Sequence, residues 1–172
     1  MEFTKILNSR KSIRTFTGEA VPDEALIKIL NAANAAPIGS GKYESVHLTV
    51  VRSKELLTKI EENTEHIFDV HGRSFLYNAP ELVIVSTTGN DNVSNSNAAI
   101  VVHNMVMEAV ECEVGACYIW GCMMALAHNN ELIKELNIPE GFTPSCAVAL
   151  GISNEAYSIR KIPENRISIN YI

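Results

Sequence analysis

Residues 94–114 read SNSNAAIVVHNMVMEAVECEV, and their periodicity predicts one long helix closed by Gly115. Ala98, Ala99, Ile100, Val101, Val102, Met105, Val106, Met107, Ala109 and Val110 leave almost no polar face on it. A helix apolar nearly all round has to be buried nearly all round. Two covers are open to it: the chain's own sheet and helices, or a second copy packed along it. With 172 residues to draw on, both sides of so long a helix are hard to cover, so dimerisation is the simpler expectation. His103, midway along, is expected to be a hydrogen-bonded interior residue.

On either side of this helix lie strand signals. Residues 81–86 (ELVIVS) and 145–151 (SCAVALG) are continuous apolar runs of the kind that fill the middle of a sheet, and residues 47–51 (HLTVV) read as a third strand. Ser53 is placed to cap a helix through Glu62. Residues 63–77 are polar and mixed, with Gly72 among them, and read as a mobile flap. A short helix to Ala127 follows Ala116-Cys117-Tyr118-Ile119-Trp120-Gly121, and Asn129 or Asn130 opens another that stops before Pro139.

Towards the N-terminus, Val21-Pro22-Asp23-Glu24 starts a helix, with proline near the first turn and two acids at its positive end. Ala25, Leu26, Ile29, Leu30 and Ala33 share one of its faces, and Pro37 ends it. Residues 3–8 form a short helix with Phe3, Ile6 and Leu7 on one side. At the far end, residues 167–172 (ISINYI) alternate like a strand that has no local sequence to pair with. No repeat or linker divides residues 1–172, so one domain of the α+β or α/β class is expected.

Hydrophobic residues make up 47% and charged residues 20% of the chain, the balance of a folded globule rather than a disordered segment. A net charge of −6 argues against general affinity for nucleic acid or an anionic membrane surface. No run approaches the ~20 apolar residues needed to span a bilayer. Met1-Glu2-Phe3-Thr4-Lys5 does not open a secretory signal, so a cytoplasmic protein with reduced thiols is expected. Cys112, Cys117, Cys122 and Cys146 match no common zinc or iron–sulfur spacing, nor do the five histidines suggest a metal site. The cysteines read as small buried hydrophobes.

Against this acidic background, Ser9-Arg10-Lys11-Ser12-Ile13-Arg14-Thr15-Phe16 gathers three cations and three hydroxyls. Arginine presents a planar fork suited to phosphate and lysine adds a point charge, so the cluster suits a small dianion. Arg160-Lys161 supplies a second basic pair. Brought together, the two would form a phosphate clamp.

The ordered set Arg10-x-Ser12-x-Arg14-x-Phe16, Val21-Pro22-Asp23-Glu24, Ala35-Ala36-Pro37, Tyr77-Asn78-Ala79-Pro80, Tyr118-Ile119-Trp120-Gly121 and Gly151 with Arg160-Lys161 resembles the nitroreductase family of FMN-dependent oxidoreductases from end to end. The resemblance implies an α+β fold: a mixed sheet flanked by helices, a long buried central helix, and a C-terminal tail crossing to the partner of a homodimer. It implies FMN at the subunit interface. By this resemblance Arg10, Ser12, Arg160 and Lys161 match the FMN phosphate clamp, while Lys11 and Arg14 match positions that contact the phosphate, ribityl chain or pyrimidine edge, with Arg14 expected to place a cation near flavin N1 and O2. Pro37, Ile38 and Gly39 match the loop that reaches the flavin from the partner. Trp120 and Gly121 match the segment whose backbone amide faces flavin N5. The chain lacks the Asn and Gln-Pro-Trp that many relatives carry after the helix-ending proline, which leaves backbone contacts to that loop.

The activity implied is hydride transfer from NAD(P)H through flavin N5 to an acceptor such as a nitroaromatic or quinone, in a ping-pong cycle. No side chain is nominated as general acid or base. The alternative is a non-catalytic FMN-binding protein of the same fold, with Trp120 capping the ring.

Overall fold

A computed structural model describes residues 2–172. Ten helices and strands follow in chain order: α1 (Phe3–Ser9), α2 (Asp23–Asn34), β1 (Val46–Val51), α3 (Lys54–Phe68), β2 (Glu81–Thr87), α4 (Asn92–Glu111), β3 (Gly115–Ile119), α5 (Gly121–Leu126), α6 (Asn130–Glu135) and β4 (Thr143–Gly151). The strands form one sheet in the order β1-β2-β4-β3, and all three pairings are antiparallel. A mixed sheet would need a further, parallel strand, and none is formed among the described residues of the single chain.

Helices cover both faces, as the α+β expectation requires. Val83, Val85, Val148 and Leu150 turn to α4 and, beyond it, to Leu26, Ile29 and Ala33 of α2. Leu82, Ile84, Ala147 and Ala149 turn to α3, α5 and α6. Every residue of β2 is therefore buried, which explains its unbroken apolar reading.

The apolar character of α4 is met chiefly from within the chain. Sheet and α2 bury Ala98, Val101, Val102, Met105, Val106 and Ala109, and Met107 and Val110 are buried as well. A strip containing Val93, Ile100 and His103 stays open to solvent. His103 is thus a surface residue of the single chain, not an interior one. The helix also ends earlier than Gly115 suggests: Cys112 is its cap, and Glu113 takes the left-handed turn at φ 57°. Gly115 instead begins β3, where a Cβ would lie 2.9 Å from the Gly151 carbonyl oxygen and 3.1 Å from Ile13 Cγ2. Close approach of three segments, not helix termination, accounts for that glycine.

β3 covers residues that the sequence pattern assigned to no element. The segment expected to be a flap begins as helix, because α3 continues to Phe68 with Leu57, Ile60 and Thr64 on its buried side. Asp69 in the left-handed region (φ 51°) stops it. Ser53 does cap α3, accepting Leu56 N–H at 3.3 Å. Residues 167–172 form no strand, and Ile167, Ile169, Tyr171 and Ile172 are exposed.

Candidate functional site

The two ends of the chain are laced together. Thr17 N–H donates to Ile152 O at 2.9 Å, Ser153 Oγ to Thr15 O at 2.6 Å, and Arg160 N–H to Asn8 O at 3.1 Å. The Arg160 guanidinium donates from Nε to Asn8 O at 3.4 Å and from Nη2 to Arg10 O. Residues 8–17 and 152–160 therefore run antiparallel, tied by side chains more than by a ladder. Ile13, fully buried, anchors this lacing to β3 through its N–H on Ala116 O at 2.9 Å. Tyr157 adds a hydrogen bond from its hydroxyl to Val114 O at 3.0 Å.

The cations in this lacing have different occupations. Lys11 Nζ sits 3.1 Å from Glu155 Oε2. The Arg14 guanidinium lies 5.6 Å from the centre of the Tyr77 ring, and its hydrogen bond to Tyr77 pushes its pKa further up. Among the described residues, neither the Arg10 guanidinium nor the Lys161 ammonium is held by a hydrogen bond or ion pair. The Ser12 hydroxyl and Arg14 both bear on the buried Cys117 thiol; burial raises its pKa and these two neighbours oppose the rise. Burial likewise pushes Cys122 and Cys146 up to about 11, so both thiols stay protonated at neutral pH. All four cysteines are free.

Trp120 and Gly121 stand at the opposite end of β3 from Ile13. Trp120, 57% exposed, precedes α5, and its carbonyl accepts the Met123 and Met124 N–H groups at 3.0 and 3.2 Å. Open space surrounds the position a Gly121 Cβ would take. The phosphate-seeking residues and the Trp120–Gly121 turn thus flank one edge strand.

Pro37, Ile38 and Gly39 lie elsewhere. Gly39 N–H donates to Asn97 Oδ1 at 3.1 Å, and Tyr43 Oη donates to Ala36 O at 3.1 Å. A Cβ on Gly39 would meet Val93 Cγ1 at 3.3 Å, so the loop is pressed onto the first turns of α4. Arg10, Ser12 and Arg14 belong to the other end, past Glu111. From Asn97 to Glu111 the helix alone rises about 21 Å. One chain does not bring the two sets together.

Sequence reasoning missed Asn97, Tyr77 and Glu155. Asn97, a polar residue buried within the apolar face of α4, carried a readable signal; Glu155, one acid in a polar tail, carried none. A cavity of about 530 Å³ lies between α3 and residues 76–80, lined by Arg52, Lys54, Glu61 and Leu76 among others, and shares no residue with either set. Beside it, the fully buried Glu81 accepts Val21 N–H and Arg52 Nε, each at 3.0 Å, and burial raises its carboxyl pKa. No His, Cys, Asp or Glu cluster among the described residues could hold a metal ion. None of their helices is long and apolar enough to cross a membrane.

The profile of the nitroreductase family matches residues 7–152. The chain belongs to the nitroreductase family. The match includes Arg10–Arg14, Pro37–Gly39 and Trp120–Gly121 but stops short of Arg160 and Lys161. A Methanothermobacter thermautotrophicus protein, provisionally described as NADH dehydrogenase/NAD(P)H nitroreductase, is 29% identical over 90% of this chain and 79% of its own length. A nitroreductase crystallised with bound FMN from Desulfitobacterium hafniense superposes with a TM-score of 0.84 at 25% identity, covering 100% of this chain and 98% of that one. Mouse iodotyrosine deiodinase 1 is 23% identical over 87% of this chain, which spans 56% of the deiodinase. The family assignment makes the chain a relative of oxidoreductases; the exposed Trp120 and the uncommitted Arg10 are the features on which a more specific reading turns.

Proposed function

We propose that this nitroreductase-family chain is an FMN-dependent NAD(P)H oxidoreductase, working as a homodimer with the flavin between subunits. The single observation carrying this reading is the convergence of Arg160 on the Arg10 backbone, next to Lys161 in sequence, while the Arg10 guanidinium stays unpaired. Unpaired cations suit a phosphate dianion, and the FMN-bound Desulfitobacterium structure supplies the precedent. Arg10, Ser12 and Lys161 would hold the phosphate, Trp120 and Gly121 would border the ring, and Arg14 would set positive charge at its pyrimidine edge. The distance of Arg10, Ser12 and Arg14 from Pro37–Gly39 supports an interface: a second chain with α4 reversed would bring its loop to this end.

When bound, FMN supplies hydride acceptance and donation at N5, chemistry the side chains here do not provide. The protein's part is to hold the phosphate, orient the ring and leave one face open for NAD(P)H and then an acceptor in turn. Trp120 is more than half exposed, which favours access over a closed flavin carrier.

A purified preparation should be yellow, and anaerobic NADH or NADPH should bleach its flavin absorbance. A yellow protein that neither nucleotide bleaches would be a flavin carrier instead. The likeness to the mouse deiodinase favours one further reading of the same site, reductive removal of halide from a halogenated aromatic. Halide release under the same reductant, without turnover of nitroaromatics or quinones, would select it.

A further inference from the structure

Lys11 is the one cation of the N-terminal cluster whose charge is already answered. Its Nζ sits 3.1 Å from Glu155 Oε2, with both side chains about two-thirds withdrawn from solvent (30% and 34% exposed). Oε1 of the same carboxylate accepts the Arg14 N–H at 3.4 Å. Glu155 N–H in turn donates to Ser153 Oγ at 3.0 Å, and that hydroxyl donates to Thr15 O at 2.6 Å. One acid therefore touches Lys11, Arg14 and Thr15 directly and is tied to Thr15 a second time through Ser153. These residues bracket Ser12 and Ile13, whose placement fixes where the candidate phosphate site points.

An incoming phosphate would meet a poor partner here. Contact with Lys11 would set its negative charge within a few ångströms of the Glu155 carboxylate, where like charges repel. Arg10 and Lys161 carry no such counter-charge.

Resting on the flavin reading above, we propose that Glu155 and Lys11 are a positioning pair, neither of which touches the phosphate. The ion pair holds residues 11–15 against residues 153–155 and so presents Ser12 and Arg14. The phosphate charge falls to Arg10 and Lys161. Of the contacts the sequence left open to Lys11 (phosphate, ribityl chain or pyrimidine edge), the phosphate is thereby removed, and Glu155 enters the site as a residue acting through others.

FMN and riboflavin differ only by the phosphate, so their affinities separate the roles. Flavin-free protein would be titrated with each by fluorescence quenching, for the native chain, Lys11→Met, Glu155→Gln and the exchanged pair Lys11→Glu with Glu155→Lys. Thermal unfolding would be followed alongside. The single variants should weaken both flavins by one common factor of about two- to fivefold, the scale of a part-exposed ion pair. The exchanged pair should recover most of that loss, with unfolding temperatures close to native throughout.

Lys11→Met weakening FMN but not riboflavin, with Glu155→Gln tightening FMN, would make Lys11 a phosphate ligand and overturn the proposal. Failure of the exchanged pair to recover affinity would overturn it too, as would affinity losses that simply follow unfolding temperature. A native chain that binds neither flavin would remove the flavin reading itself.

Discussion

Arg10 divides its work between backbone and side chain. Its carbonyl oxygen receives the Arg160 guanidinium, while its own guanidinium stays uncommitted. Arg10→Ala should therefore weaken FMN binding by about 1.5–3 kcal/mol, the range for hydrogen bonds to charged groups, with little change in unfolding temperature. Unchanged flavin content after dialysis would contradict that role. Glu155 gives a second prediction at this scale, through its link to pH. Its carboxyl is held below the ordinary value of 4.5, first by Lys11 and then by Thr15. A depressed acid stabilises the fold fully above its unfolded pKa and loses that contribution as pH falls through the folded one. Denaturant titrations from neutral pH into the acid range should find the native chain losing stability more steeply than Glu155→Gln, and parallel curves would refute the pairing.

Among the elements, α4 sets the dimensions of the candidate site, with the Pro37–Gly39 loop at its start and the basic lacing beyond its end. Asn97 fastens the loop to the helix, and Asn97→Ala should cost about 0.5–1.5 kcal/mol of unfolding free energy in urea. No measurable loss would mean the Gly39 contact contributes nothing. What the sequence showed of these elements depended on patterning. β2 and β4 were legible because burial on both faces leaves an unbroken apolar run, and the α3 start because Ser53 is a standard cap. β3 was hidden because Gly115–Ile119 is short and opens with a glycine that also suits a helix end. The ends of α3 and α4 were misplaced because Asp69 and Glu113, not glycines, take the left-handed turn. His103 was misread because the largely apolar run around it conceals one exposed position per turn or so. At the site, the basic residues were legible as charge, but the Lys11–Glu155 pairing spans 144 positions and leaves no local trace.

At the scale of the whole molecule, three loose ends belong together: the open strip on α4, the exposed apolar side of α1 at Phe3 and Leu7, and the unpaired apolar residues of 167–172. A second copy of the chain would cover all three. Light scattering should return twice the 18.9 kDa of one chain, and a chain ending at residue 166 should dissociate more readily while keeping its helical circular dichroism. A monomer at micromolar concentration would contradict the shared site. Beneath these lies the claim that both ends of the polypeptide build one phosphate site. The most direct measurement is the dissociation constant of the native protein for FMN and for riboflavin at low and high salt. The account predicts FMN tighter by at least about tenfold at low salt, since one charge-assisted hydrogen bond to the phosphate is worth that much, with the gap narrowing as salt screens the cations. Equal affinities at both salt concentrations would contradict it.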